Sequence, residues 1–162
     1  MFSFSITLLT SVVHENPCFV SLRKNSNTQV DFFEFLCHAI SLGYITPGDF
    51  VVLDNASVHK GRYIKDEIDA LLETYQFKLI FLPTYSPELN PCELVFNVVK
   101  NFMRHHKRED VDFRTAIIEA FAQIDVNQML AFYMHCQRNL IALDWRFLQN
   151  LVQEEEQSLV QE

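Results

Sequence analysis

The stretch FVVLDNASVHK, Phe50 to Lys60, runs four apolar residues straight into an aspartate. Asn55 follows Asp54 at once, and His59 stands five positions beyond it. A short continuous apolar run suits a strand covered on both faces, as in the parallel part of a sheet. A strand ending on a carboxylate sets an acid at the sheet rim, where ligands of α/β units usually sit.

Outward from this strand the pattern is strand, helix, strand. GRYIKDEIDALLETYQ places Ile64, Ile68, Leu71, Leu72 and Tyr75 at helical spacing, and FKLIFL is a second short apolar strand. The crossover of such a βαβ unit is right-handed. PTYSPELNP then interrupts the pattern with prolines and turn formers, and Leu94, Val95, Val98, Val99, Phe102 and Met103 mark the face of the next helix. Two further helical stretches are expected at about 112–124 and 127–139. The body is expected to span 1–150, with 151–162, ending in QEEEQSLVQE, an acidic, frayed tail.

Upstream, MFSFSITLL alternates with period two, Phe2, Phe4, Ile6 and Leu8 on one face and Ser3, Ser5 and Thr7 on the other. CFVSLRK, after the HENP break, reads as its antiparallel partner. Asn27 or Thr28 is placed to cap a helix whose face carries Val30, Phe33, Cys37 and Ile40, and Gly43 ends it. No internal repeat, low-complexity block or second domain interrupts the chain.

Composition narrows the function. A chain of 162 residues with 49% hydrophobic content suits one globular domain. Its formal charge of −8 argues against a general nucleic-acid coat, because phosphate contacts need Lys and Arg. It leaves room for an enzyme that holds metal ions on carboxylates and meets DNA locally. Cys18, Cys37, Cys92 and Cys136 are widely spaced with no CxxC pair, so neither structural zinc nor a disulfide framework is expected. The N-terminus has no basic segment followed by a long apolar run, so neither a signal peptide nor a membrane span is expected.

If the two strands of the βαβ unit are adjacent, Asp54 and Glu93 meet at one rim, although 39 positions separate them (93 − 54). Two carboxylates there suit a divalent cation with oxygen ligands, Mg²⁺ or Mn²⁺. A structural reading stands beside this one. Asn90, Pro91 and Glu93 have the spacing of a helix cap, with Glu93 reaching back to the Asn90 N–H. Asp54 has its own plain reading, as an acceptor for the loop that follows it. Asn55 and His59 are candidates for shaping the turn or contacting phosphate, and Tyr85 and Ser86 for touching a DNA backbone. KNFMRHHKR is the basic cluster, offering Lys100, Arg104, Lys107 and Arg108 either to phosphates or to solvent at a helix end. The adjacent His105 and His106 point apart on a helix and do not suit a metal pair.

Together, VVLDNASVH and IFLPTYSPELNPCELVFNVVK closely resemble the DDE endonuclease domain of mariner-type transposases and their bacterial insertion-sequence relatives. The resemblance is strong from about Phe50 to Lys100, weaker back to Phe2, and slight beyond Lys107. It implies an RNase H-like α/β fold, a mixed sheet flanked by helices. It also implies two aspartates and a glutamate (or a third aspartate) holding two Mg²⁺ or Mn²⁺ ions. Asp54 matches the second acid and Glu93 the third. The implied chemistry is metal-dependent DNA phosphodiester hydrolysis and strand transfer. The implied partners are transposon ends and target DNA, with a homodimer as a further expectation and no small-molecule cofactor or membrane. The implied location is intracellular and nuclear.

The match departs from the family at its start. MFSFSITLL resembles the second strand, no Asp or Glu precedes Glu15, and neither Glu15 nor Asp31 fits the first acid. The expectation is therefore a domain lacking its first central strand and first aspartate, with impaired catalysis. A non-catalytic remnant or domesticated binding module is the competing class, and an RNase H-like nuclease without a transposition role is a third.

Overall fold

The computed structural model describes the backbone of residues 4–60, 62–106 and 111–159, and side chains within them except Val58, Lys60, Arg62 and those from 143 onward. Strand β1 (Phe4–Thr10) pairs antiparallel with β2 (Cys18–Lys24), in register from Phe4↔Lys24 to Thr10↔Cys18. Thr28 caps α1 (Gln29–Ser41): its hydroxyl accepts from the Asp31 N–H at 3.2 Å, and Asp31 Oδ2 accepts from the Thr28 N–H at 2.7 Å. This reciprocal box satisfies two of the orphan donors at the helix start. Gly43, at φ +69, turns the chain out of α1.

Strand β3 (Phe50–Leu53) pairs in parallel with β4 (Lys78–Phe81), joined through short 3-10 turns and α2 (Lys65–Tyr75). After the proline-rich loop come α3 (Pro91–His105), α4 (Phe113–Ala122) and α5 (Val126–Leu159). Strand–helix–strand, the capped α1 and the helix after the loop all stand where the sequence pattern puts them, but α1 buries Phe32, Phe35, Leu36 and Ala39 rather than the expected face of Val30, Phe33, Cys37 and Ile40. The last helix departs further. Expected over about 127–139 and followed by a frayed tail from 151, it runs unbroken to Leu159. No proline or glycine lies between Val126 and Leu159 to stop it. Among the described residues no helix is long and apolar enough to cross a membrane.

Two cores hold these elements. In the first, Val95 and Val99 of α3 pack with Ile117 and Phe121 of α4 and Met129 of α5, against Ile6 and Leu8 of β1. In the second, Phe32, Leu36 and Ala39 of α1 pack with Val51 and Leu53 of β3, and Leu71 and Leu72 of α2 close it. The β1–β2 ladder is thus covered on both faces. The β3–β4 ladder is not, which corrects the expectation for FVVL. Val51 and Leu53 are buried, whereas Phe50 and Val52 are 61% and 52% exposed. Both α1 and α2 share the face of Val51 and Leu53, and among the described residues no helix seals the other.

The sheet is also discontinuous among the described residues. β1 pairs only with β2, and β3 only with β4. Between them lies a cleft of about 790 Å³.

Candidate active site

Asp54 leaves the end of β3 and its carboxylate is fixed by the loop that follows. Oδ1 accepts the Ala56 N–H at 3.0 Å and lies 2.8 Å from His59 Nδ1. The His59 ring is itself held, packed on Phe32 of α1 with ring centroids 4.6 Å apart. Both contacts fall on Oδ1, so Oδ2 accepts no hydrogen bond among the described residues. The Asn55 side-chain amide donates to the Leu82 carbonyl, tying the loop after β3 to the loop after β4. The Leu82 N–H donates in turn to the Leu53 carbonyl at 2.8 Å. The parallel ladder therefore delivers both loops to one rim.

Glu93 reaches that rim from the first turn of α3. Asn90 is the N-cap: its Oδ1 accepts the Cys92 N–H at 3.0 Å, and Pro91 occupies the first helical position. The expected return bond from Glu93 is not made. The Asn90 N–H donates to the Pro87 carbonyl at 3.0 Å, closing the Pro87–Leu89 turn. Glu93 is exposed, and its carboxylate accepts no hydrogen bond among the described residues. The capping reading of Glu93 is thereby corrected, while that of Asn90 holds.

Next to Glu93, Cys92 turns inward. Its Sγ lies 3.9 Å from both Thr10 Oγ1 and the Leu8 carbonyl, which docks the start of α3 on β1. Burial pushes the Cys92 thiol up to about 12, so it stays protonated and serves packing. From α5, Tyr133 donates its hydroxyl proton to the Thr10 carbonyl at 2.9 Å, and Asn139 donates to the Glu88 carbonyl at 3.0 Å. The first ties α5 to β1, and the second ties it to the proline-rich loop. Sequence reading missed Asn139 and Phe32, because contacts spanning 51 and 27 positions leave no local pattern.

The result is a pocket of about 210 Å³ that Asp54, Asn55, Tyr85, Ser86, Asn90 and Glu93 line together. Tyr85 stands out of it, 95% exposed and at φ +58. A bulky residue in the left-handed region is uncommon and costs energy, so the loop is held in a strained turn. Lys100 and Arg104 are exposed on α3, two and three turns past Glu93, or roughly 10 and 16 Å along the axis. Lys107 and Arg108 lie outside the described residues. His105 and His106 each bond a carbonyl one turn back, Asn101 at 2.8 Å and Phe102 at 3.1 Å, rather than a shared ligand.

Residues 4–115 match the family model of the DDE superfamily endonucleases. The chain belongs to that family. No curated protein matches it. The observed α/β architecture accords with the RNase H-like fold of DDE endonucleases, and membership assigns a transposase-like nuclease domain. Such domains bind DNA and generally use divalent metal ions.

The donor set of this chain fits a hard cation in part. Asp54 Oδ2 and the Glu93 carboxylate are oxygen donors beside one pocket, with no protein partner among the described residues. Mg²⁺ is often held by only one or two carboxylates, with waters and substrate phosphates completing its shell. No cluster of three or more His, Cys, Asp or Glu that could hold a metal occurs among the described residues. A closed protein cage for two ions is thus not what these residues build.

Proposed function

We propose that this chain is a mariner-type DDE endonuclease domain whose rim, Asp54 and Glu93, holds a single Mg²⁺ or Mn²⁺ ion against a DNA phosphate. The observation that carries this reading is the convergence of both carboxylates on one pocket, with the capping role of Glu93 left unfilled. The bound ion would polarise a phosphodiester and favour attack by water.

The surrounding residues have separate tasks. His59, held by Phe32, fixes the rotamer of Asp54 by donating to Oδ1. Asn55 locks the two loops together. Tyr85, exposed on its strained turn, and Ser86 are placed to meet the sugar–phosphate backbone. Lys100 and Arg104 extend a cationic track from the pocket along α3, offsetting locally the negative charge of the chain. The ancestral chemistry of hydrolysis and strand transfer is impaired here because only two acids among the described residues reach the rim. The substrate assigned is DNA, at transposon ends and target, and the location is the nucleus.

A nicking assay on supercoiled DNA with Mn²⁺ tests this reading. Slow, metal-dependent nicking that Asp54→Asn and Glu93→Gln each abolish is expected. A folded chain that never nicks, at any metal concentration, would support the second reading, a non-catalytic binding module. The absence of a third acid among the described rim residues favours that alternative.

A further inference from the structure

Helix α5 carries two apolar stripes. The inward one is Met129 of the first core, the partly buried Tyr133 and the buried Cys136. The second begins with Met134 and Ile141, which are 53% and 61% exposed. One residue along a helix is a rotation of roughly 100°, so Met134 stands that far around from Tyr133, on the solvent side.

The backbone stays helical to Leu159, so the second stripe can be followed by position along the sequence. From Met134, alternating steps of four and three residues reach Arg138, Ile141, Trp145 and Leu148. The same steps continue to Val152, Glu155 and Leu159. This is the spacing of a coiled-coil seam, the a and d positions of a heptad. Its positions are apolar with two exceptions, Arg138 and Glu155, and those two are opposite in charge.

The seam is also symmetric about the point between Arg146 and Phe147. Met134 lies as far before that point as Leu159 lies after it. The same holds for Ile141 with Val152, for Trp145 with Leu148, and for Arg138 with Glu155. A two-fold axis through that point lays the helix antiparallel on a second copy, and each position then meets the other member of its pair. Every apolar position meets an apolar one. Arg138 meets Glu155 of the second copy, and Glu155 meets its Arg138. A parallel pairing in register would instead set arginine on arginine and glutamate on glutamate inside the seam, which like-charge repulsion disfavours. The flanking acids Asp144 and Glu156 fall on opposite sides of the seam, so they do not meet. An unrelated helix has no reason to match this register, whereas a second copy matches it at every position.

We infer that α5 pairs antiparallel with α5 of a second copy along this seam, making the chain a two-fold dimer. Nothing in the pairing depends on the metal site or on DNA. Sedimentation equilibrium of the full chain measures the monomer–dimer Kd, with circular dichroism to check that each variant is folded. Arg138 is exposed, so reversing its charge disturbs no core. Arg138→Glu and Glu155→Arg each set like charges together across the seam, and each is expected to raise Kd at least about tenfold. The double variant Arg138→Glu/Glu155→Arg restores the opposite pair and is expected to return Kd to within about threefold of the parent. Trp145 is the chain's single tryptophan and sits beside the axis, so its emission should move to the blue as the parent dimer forms. A folded parent that stays monomeric at about 1 mM overturns the proposal. So does a dimer indifferent to both single reversals, which would assign self-association to another surface. Single reversals that the double variant fails to rescue overturn the antiparallel register.

Discussion

Replacing Glu93 and Asn90 separately distinguishes a ligand from a cap. Asn90 Oδ1 accepts the Cys92 N–H, one of the orphan donors of α3, and α3 carries the buried Val95 and Val99 into the core. Asn90→Ala removes that bond at a helix the core cannot lose, a cost of about 1 kcal/mol. For a chain of this size that corresponds to a fall of roughly 2–4 °C in Tm. Glu93→Gln removes no bond, because the Asn90 N–H already donates to Pro87. It loses a favourable charge in the first turn and relieves repulsion from Asp54, so its net effect stays within about 0.5 kcal/mol. Urea unfolding followed by circular dichroism measures both, with an unchanged m-value as the condition for comparison. A Glu93→Gln cost equal to that of Asn90→Ala would refute the reasoning, since it would mean that Glu93 caps the helix in solution.

Other perturbations report on other layers. Leu36→Ala and Met129→Ala empty fully buried positions, one in each core, and are expected to cost about 2–5 kcal/mol each by the same unfolding measurement. Asp31 and Asp112 both sit below the usual carboxylate range, through hydrogen bonds from Thr28 and Thr115 respectively. A lowered folded pKa gives stability present above the unfolded value, near 3.9, and lost as pH falls through the folded one. Acid titration of Tm should therefore be shallower below about pH 4 for Asp31→Asn and Asp112→Asn than for the parent chain. Burial raises the Cys18 thiol to about 11 and Cys92 to about 12, so iodoacetamide at pH 8 should label both only upon unfolding.

Most of the fold was legible because its signals are local. Period two gave β1, a cap at Asn27 or Thr28 gave the start of α1, and Asn90–Pro91 gave the start of α3. The meeting of Asp54 and Glu93 followed from a topological rule, since the carboxyl ends of parallel neighbours share a rim. What escaped was set by tertiary contacts. FVVL reads as doubly covered, yet Phe50 and Val52 open into a cleft whose existence depends on how two ladders sit apart. The Asn90–Glu93 spacing fits a capping box, but the Pro87 carbonyl, three residues back in a 3-10 turn, takes the donor first. His59 gained its partner Phe32 from a helix 27 positions upstream, beyond any pattern in DNASVH.

The central claim is that Asp54 and Glu93 form one cation site, and calorimetric titration of the chain with Mn²⁺ tests it most directly. The account predicts one weak, saturable site per chain, abolished by Asp54→Asn and by Glu93→Gln while both variants stay folded. Binding that survives either substitution, or no binding to a chain shown to be folded, would contradict it.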